Sequence, residues 1–273
     1  MHPSLRKDLT VTDTTLDPST LARELSKRWD AQQTGYIRHR AERFATIARV
    51  VEAVTEDVER PRVLDLAGGT GSLGHAVLAA VPRASLVVAD KDPALLAIAS
   101  DIATADPRID VADVDLGRPG WDEHPLLAGE RFDAIVSSTA LHWLQPAQLV
   151  DVYWRTADLL APGGILLNGD HLSYDEHLEP TLRRVAAADD ERMQTETFSG
   201  SADTWDEWWA AVAAEPRYSR QVARREEVWG DDIRIAPPKV SLEFHLSTLR
   251  SAGFTETGTV WRYLDDHVLY GIR

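Results

Sequence analysis

The sequence contains no cysteine and no long apolar run in its 273 residues. The lack of cysteine excludes disulfides, thiolate metal ligands and cysteine nucleophiles, and a cytoplasmic location is the default expectation. A membrane-spanning helix needs about 18 or more consecutive apolar residues, and no such stretch is present. The N-terminal segment lacks an apolar signal core, so we predict neither export nor membrane anchoring.

Basic residues are scarce relative to acidic ones: the chain has 29 Lys and Arg against 44 Asp and Glu, a formal net charge of −15. Nucleic-acid duplexes are bound through a concentrated basic surface, whereas the densest basic stretch here is Arg38-His39-Arg40. We therefore expect a small-molecule partner, not nucleic acid or an anionic membrane. A monomer and a homodimer are both compatible with this composition.

From residue 62 the sequence alternates short apolar runs with helical stretches. The runs, rich in Val, Ile and Leu, span residues 63–66, 86–89, 109–112, 134–136 and 165–167. Helices are predicted between them over residues 72–81, 93–104 and 146–160. Such runs are typical of strands covered on both faces, so the alternation predicts an α/β fold with a doubly wound, mostly parallel sheet.

The segments before residue 62 and after Asp170 have a different residue pattern. Apolar residues at helical spacing follow a polar N-terminal stretch, and Ser19 or Thr20 can cap the first helix. After Asp170 the chain holds helices without a convincing strand, and a last helix and strand pair complete the sheet. The predicted organisation is a flexible tail (1–18), N-terminal helices over the ligand site (19–60), a core (61–171 and 237–273) and a helical lid insertion (172–236).

The segment Leu64 to Gly74, LDLAGGTGSLG, contains a G-x-G-x-x-G pattern directly after the first apolar run. Glycines allow a backbone to approach a ligand closely while it turns into a helix. Such loops bind dinucleotides, and they also bind S-adenosylmethionine. Asp65 favours the second ligand, because a carboxylate is unhelpful beside a pyrophosphate but suits a cofactor that carries an ammonium and a sulfonium.

Two further acids end the next apolar runs. Asp90 lies 19 residues after Gly71, where either kind of cofactor has an acid on its ribose hydroxyls. Asp113 ends the third run, where a carboxylate can accept a hydrogen bond from the exocyclic amine of adenine. The two positions predict a nucleoside site at the carboxyl ends of the strands.

Six segments form a set that is more specific than any one of them: VLDLAGGTGSLG, LVVADKDP, IDVADV, FDAIVSSTALHWL, LLAPGGILL and LRSAGFTETGTVW. In their order and spacing, across roughly residues 62–170 and near the C-terminus, the chain resembles class I S-adenosylmethionine-dependent methyltransferases of the small-molecule, trans-aconitate-methyltransferase-like type. One position departs from the family pattern, because Ala67 occupies the place of the first loop glycine. We expect Ala67 to be tolerated with a negative φ.

The resemblance implies S-adenosylmethionine as cofactor and assigns its binding residues by position. The implied residues are Asp65, Gly69, Gly71 and Ser137 for the methionine part, Asp90 for the ribose, and Lys91, Asp113 and the Val114 amide for the adenine. In the N-terminal helices, Tyr36 is expected to cover the sulfonium with its aromatic face. Arg40 is expected to pair with the cofactor carboxylate, and a solvated helix face is the alternative for both residues.

Methyl transfer is an in-line displacement, and it needs a base only when the acceptor must lose a proton. His142, in the turn after the fourth strand, is the first candidate for this base, since imidazole titrates near neutrality. His171 and Asp170, at the end of the fifth strand, are the second and third candidates. The acids and histidines over 170–177 show no particular metal geometry, so no metal is predicted.

The insertion carries a W-x-x-W-W pattern, Trp205, Trp208 and Trp209, whose spacing places the indoles on one helix face. With Trp143 they are candidates for the wall of an acceptor pocket, and a seam that packs the helix on the fold is the alternative. We expect methyl transfer to a small organic acceptor, with oxygen favoured over nitrogen or carbon. The alternative functions are an NAD(P)-dependent oxidoreductase and a non-catalytic protein that binds S-adenosylmethionine.

Overall fold

The sheet is built from seven strands in the described part of the chain. The computed structural model of the protein describes residues 17–129, 131–230, 236–238 and 240–273, so the predicted tail over 1–18 falls almost entirely outside the described residues. The strands are β1 (Arg62–Leu66), β2 (Ser85–Asp90), β3 (Ile109–Asp113), β4 (Phe132–Ser138), β5 (Leu160–His171), β6 (Glu256–Tyr263) and β7 (Asp266–Ile272). Each of the five apolar runs of the predicted core lies in a strand.

The strand order in the sheet is β3-β2-β1-β4-β5-β7-β6. Strands β1 to β5 pair in parallel, and β7 lies antiparallel between β5 and β6. This arrangement confirms the predicted doubly wound, mostly parallel sheet. The order reverses between β1 and β4, and ligands of such sheets bind beyond the carboxyl ends of the strands at that reversal.

Nine α-helices of the described residues surround the sheet. They are α1 (Pro18–Gln33), α2 (Arg40–Val54), α3 (Ser72–Ala80), α4 (Pro93–Ala103), α5 (Pro146–Leu159), α6 (Pro180–Phe198), α7 (Trp205–Ala214), α8 (Ser219–Trp229) and α9 (Leu242–Ser251). The predicted helices α3, α4 and α5 are confirmed. Helix α1 is capped by Asp17, not by Ser19 or Thr20, because the Asp17 carboxylate accepts from the Thr20 amide. None of the helices described is both long and apolar enough to cross a membrane.

The sheet is buried on both faces because neighbouring residues of a strand point to opposite sides. Leu64 and Ile135 lie in a cluster that includes residues of α5 and α9. Val63 and Val136 lie in a second cluster, with residues of α2 and α3 on the other face. The strands are therefore held firmly from both sides, and their carboxyl ends fix the side chains that follow them.

A third cluster attaches the 172–236 insertion to the N-terminal helices. It joins Leu25 of α1 and Ile98 of α4 to Trp208 and Val212 of α7. The insertion begins after β5, and its helix α7 packs against α1 and α4. Helix α6 buries only Ala186, and the described residues of α8 include none that is fully buried.

The three tryptophans of α7 do not share one role. Trp208 is fully buried, and its indole Nε1 donates to the Leu25 carbonyl at 3.0 Å. Trp205 is exposed and Trp209 is partly buried, with ring centroids 5.8 Å apart. The prediction that Trp208 lines an acceptor pocket is wrong, because its face of α7 is the one that packs on α1.

Trp208→Ala should lower the free energy of unfolding by about 3–5 kcal/mol, because it leaves a cavity between α7 and α1 and removes the indole hydrogen bond to the Leu25 carbonyl. Trp205→Ala removes a side chain that is 38% exposed on the same helix and should cost only about 1 kcal/mol. Urea unfolding followed by circular dichroism measures both variants. Equal losses would contradict the role of Trp208 in fastening the insertion.

Candidate active site

A cavity of about 930 Å³ lies beyond the carboxyl ends of the central strands. Its walls are the loop after β1, the connection between α1 and α2, the turn after β4, and α7 and α8 of the insertion. Twelve of the predicted site residues line it: Tyr36, Arg40, Asp65, Gly69, Asp90, Lys91, Val114, His142, Trp143, His171, Trp205 and Trp209. The predicted residues outside its lining are Gly71, Asp113, Ser137, Asp170 and Trp208.

The glycine-rich loop turns from β1 into α3 beside this cavity. Gly69 and Gly71 both have left-handed backbones, with φ of 59° and 85°, and Gly71 directly precedes α3. The Gly68 amide donates to the Ala89 carbonyl at 3.1 Å, which ties the loop to β2. Glycine suits the two left-handed positions because it has no Cβ to clash there.

Ala67 also lies in the left-handed region, with a φ of 55°. The expectation of a negative φ is wrong, because the chain begins to turn out of β1 at Ala67. A left-handed backbone costs an alanine about 1–2 kcal/mol. The loop therefore holds a local strain that a glycine at this position would avoid.

Asp90 is the last residue of β2 and is 8% exposed. Its Oδ2 accepts from the Gly69 amide and its Oδ1 from the Asp92 amide, both at 2.8 Å. Burial raises the pKa of Asp90 to about 6. Because each carboxylate oxygen can accept a second hydrogen bond, Asp90 retains the capacity to bind two ribose hydroxyls.

Asp65 is fully buried in β1 and has only one of its oxygens paired. Its Oδ2 accepts from the Gly74 amide at 2.8 Å, whereas its buried Oδ1 has no hydrogen-bond partner among the described residues. Burial raises the pKa of Asp65 to about 7. A buried carboxylate oxygen without a donor fits a ligand that carries an ammonium and disfavours a pyrophosphate.

His142 and Asp170 form a hydrogen-bonded pair where β4 and β5 end. The two strands are neighbours, so the turn Leu141–Trp143 after β4 lies beside the end of β5. His142 Nδ1 contacts Asp170 Oδ1, and the His142 amide donates to Asp170 Oδ2 at 3.0 Å. Burial works to lower the pKa of His142, but the Asp170 carboxylate outweighs burial and raises it. Asp170 is itself fully buried, so the structure makes it the partner of His142 and contradicts its candidacy as a base that touches an acceptor.

His171 and Asp266 form a second pair beside the first. The antiparallel register of β5 and β7 places the two residues opposite each other, and His171 Nδ1 lies 2.6 Å from Asp266 Oδ1. The imidazole centroids of His142 and His171 are 5.8 Å apart. Since a carboxylate holds Nδ1 of each ring, Nε2 is the nitrogen that each histidine can offer to a ligand.

Two buried arginines lie behind these pairs, and the sequence does not predict either of them as a site residue. Arg43 of α2 is fully buried, with Nη1 3.1 Å from Asp266 Oδ1. Arg38, 3% exposed, lies 2.7 Å from Asp266 and 2.6 Å from Asp190 of α6. Arg38 lies in the basic stretch Arg38-His39-Arg40, but no local pattern indicates the ion pairs of either arginine, because the acidic partners come from distant parts of the chain.

Ser137 and Val114 are used by the sheet itself. The Ser137 hydroxyl donates to the Leu66 carbonyl at 2.7 Å, and the Val114 amide donates to the Asp90 carbonyl at 2.8 Å. The Val114 amide is therefore not available for the predicted hydrogen bond to adenine, and Ser137, predicted to face the methionine part, is buried and does not line the cavity. Hydrogen bonds between neighbouring strands continue beyond the apolar runs, so these two groups are already paired within the sheet.

Asp113 points away from the cavity. Its side chain is 62% exposed and lies 3.8 Å from Arg224, so the predicted contact with adenine is contradicted. Asp115, two residues further along, lines the cavity instead. The apolar run defines where β3 ends, but it does not define which way the last side chain turns.

Tyr36 and Arg40 reach the cavity from the connection between α1 and α2. The Tyr36 ring lies 5.3 Å from the Phe198 ring, which joins this connection to the insertion. Arg40 Nη2 lies 2.7 Å from Asp30, and its guanidinium stacks on Phe44 at 4.3 Å. Arg40 thus has an acidic partner within the protein at the position predicted to meet a cofactor carboxylate. Across the described ranges, no group of three or more His, Asp or Glu side chains is placed to hold a metal ion.

The sheet and its surrounding helices have the Rossmann-like fold of solved methyltransferases. Residues 64–166 match the family model described as a methyltransferase domain. The antiparallel β7 sets the sheet apart from the strand order of dinucleotide-binding folds, which counts against the NAD(P) alternative.

Solved methyltransferase structures share the fold at low sequence identity. They include the CurJ carbon methyltransferase (17% identity, 94% of this chain and 61% of that chain, TM-score 0.54), an O-methyltransferase family protein from Burkholderia thailandensis (18%, 96% and 74%, 0.50) and human N-acetylserotonin methyltransferase (15%, 83% and 51%, 0.50). The chain spans 50% of the length of two further proteins of solved structure that it matches. A comparison with curated protein sequences gives no match.

The raised pKa of Asp65 predicts a pH-dependent stability difference from Asp65→Asn. The ordinary pKa of this carboxyl is 3.8, and the folded value is about 7, so the proton-linked stability is complete below pH 3.8 and is lost as the pH rises through 7. The wild type should therefore lose stability relative to the variant between about pH 5 and pH 8, by a few kcal/mol. Urea unfolding at both pH values measures the difference, and a constant difference would contradict the raised pKa.

Proposed function

We propose that the protein transfers a methyl group from S-adenosylmethionine to an oxygen atom of a small organic molecule. The observation that carries this proposal is the His142–Asp170 pair, whose free imidazole nitrogen shares one cavity with Asp65, Asp90 and the glycine-rich loop. A proton acceptor and a nucleoside site thus meet in one space. A hydroxyl acceptor must lose its proton, so the pair favours a hydroxyl, and a carboxylate is the second choice because it needs no base.

The chain's own residues would hold the cofactor along the strand ends. Asp90 would accept the ribose hydroxyls, and the unpaired Oδ1 of Asp65 would face the ammonium of the methionine part. Gly69 would allow close approach of the loop backbone, and Tyr36 would cover the sulfonium with its ring. When bound, S-adenosylmethionine supplies a methyl group activated by its sulfonium.

His142 would take the acceptor proton at Nε2. The Asp170 carboxylate holds the ring in the tautomer that carries its proton on Nδ1, and it stabilises the imidazolium that forms. His171, held in the same way by Asp266, would orient the acceptor from 5.8 Å away. Much of the acceleration would come from holding acceptor oxygen and methyl carbon in line.

The acceptor would lie against an aromatic wall. Trp143, Trp205 and Trp209 line the cavity, and Trp143 is adjacent to His142 with ring centroids 5.4 Å apart. Apolar and aromatic acceptors fit these rings, while the two histidines would suit a small acid of the trans-aconitate type. The N-terminal helices and the insertion would act as cover and lid, which excludes water during transfer.

Asp90→Ala should weaken the binding of S-adenosylmethionine and S-adenosylhomocysteine by about tenfold or more, because two hydrogen bonds to a charged group are lost. Asp113→Ala removes an exposed carboxylate outside the cavity and should change binding by less than about twofold. Isothermal titration calorimetry measures both variants, with NAD as a third ligand. Binding of NAD alone would overturn the proposal in favour of an oxidoreductase.

His142→Gln should lower kcat by about 100-fold or more with a hydroxyl acceptor, and leave binding of S-adenosylhomocysteine unchanged. The wild-type rate should rise with pH through a value above 6.5, because Asp170 raises the pKa of the base, and Asp170→Asn should move this rise to lower pH. The measurement is transfer of a labelled methyl group to a panel of small phenols, alcohols and carboxylic acids.

Three outcomes of this assay would count against parts of the proposal. Unchanged kcat in His142→Gln would exclude the histidine as the base. A raised KM with unchanged kcat would indicate a carboxylate acceptor that His142 only positions. Cofactor binding without transfer to any compound of the panel would favour the non-catalytic alternative.

A further inference from the structure

One buried carboxylate joins the cofactor side of the cavity to the insertion. Asp92, 1% exposed, caps α4 because its Oδ1 accepts from the amides of Ala94 and Leu95 at 3.0 and 3.2 Å. Its Oδ2 accepts from Arg225 Nε at 2.6 Å and from Trp229 Nε1 at 2.9 Å. Both donors belong to α8, so a single side chain holds a strand-end loop and the insertion together.

Stacking contacts reinforce the same junction. The Arg225 guanidinium lies 4.1 Å above the ring of Trp209, which belongs to α7. The Lys91 ammonium lies 4.1 Å from the ring centre of Trp229. Cation–π contacts of this kind are strongest where water is partly excluded, and Arg225 is only 13% exposed.

The junction lies next to the carboxylate that would bind ribose. Asp92 follows Asp90 by two residues, and the Asp92 amide donates to Asp90 Oδ1 at 2.8 Å. Arg225 and Trp229 line the same cavity as Asp90. Helix α8 therefore contributes to the cavity wall beside the end of β2.

We propose that Arg225 and Trp229 form the outer wall of the adenosine pocket, and that their bonds to Asp92 keep the cofactor or its product in place until α8 detaches. The proposal rests on the proposed function in one respect, namely that this cavity takes S-adenosylmethionine. It extends that function because it gives the insertion a role in cofactor retention as well as in covering the acceptor. The bonds close over the ligand, so breaking them should speed its release more than it slows its entry.

The test compares two neighbouring arginines of α8 in the full-length protein. Arg225→Ala should raise the dissociation rate constant of S-adenosylhomocysteine by about tenfold, because a buried hydrogen bond between charged groups is lost. Arg224→Ala is the matched control: Arg224 is 60% exposed, its acidic neighbour Asp113 is 3.8 Å away, and its loss should change the rate by less than about twofold. Stopped-flow tryptophan fluorescence measures the rates, and calorimetry measures the dissociation constants.

Trp229→Phe supplies a second, milder variant that keeps a six-membered aromatic ring and removes the indole N–H together with the five-membered ring. It should also speed release, by a factor of about three to ten, and thermal unfolding checks that each variant is folded. Fast release from Arg225→Ala and Trp229→Phe with a normal rate for Arg224→Ala is the expected result. Equal rates for all variants and wild type would overturn the retention role while the proposed function stands. A wild type that binds neither S-adenosylmethionine nor S-adenosylhomocysteine would overturn both.

Discussion

The rest of the structure depends on the buried carboxylate of Asp266, on which two guanidinium groups converge. Arg43 and Arg38 approach its two oxygens at 3.1 and 2.7 Å, and both arginines are almost inaccessible to solvent. Each buried charge would be costly alone, because water cannot solvate it and removal of one partner leaves the others uncompensated. Through Arg38 the same carboxylate reaches Asp190 of the insertion, and through His171 it reaches the cavity. One ionic centre thus sets how the N-terminal helices, the insertion and the sheet meet around the site.

The parts of the fold and site that the sequence predicts are those fixed by local physics. Apolar runs define the strands because both faces of each central strand are buried, and the glycine pattern defines the loop because positive φ favours glycine. The places of Asp65 and Asp90 follow, since the carboxyl ends of parallel strands meet at one edge of the sheet. A local pattern does not show which residues from distant parts of the chain pair with each other. His171 meets Asp266 only because β7 runs antiparallel beside β5, and no spacing within either segment indicates that register.

Side-chain direction is the second thing that a local pattern leaves undetermined. Asp113 and Asp115 are equally plausible at the end of β3, yet only Asp115 lines the cavity. The spacing of the α7 tryptophans predicts a shared face, but packing on α1 turns Trp208 away from the cavity. In both cases the deciding contact is tertiary, with an element far away in the sequence. Local sequence patterns therefore indicate which edge of the sheet carries the candidate site. Tertiary contacts decide which individual side chains line the cavity there.

The two halves of the cavity are held by different forces, and this difference has a functional consequence. The half that carries His142 and Asp65 belongs to a sheet with an apolar core on each face. On the insertion side, α7 is held by the apolar cluster of Trp208 and Val212, whereas α8 has no fully buried side chain among its described residues. Helix α8 and the turn before it are attached by polar contacts, such as those of Arg217 with Asp101 and of Arg225 with Asp92. Partly exposed ion pairs contribute less to stability than apolar burial does. Helix α8 can therefore detach at a lower free-energy cost than the sheet can unfold. Local opening is what an enclosed site needs to exchange its ligands, while the sheet edge keeps the reacting groups in register throughout.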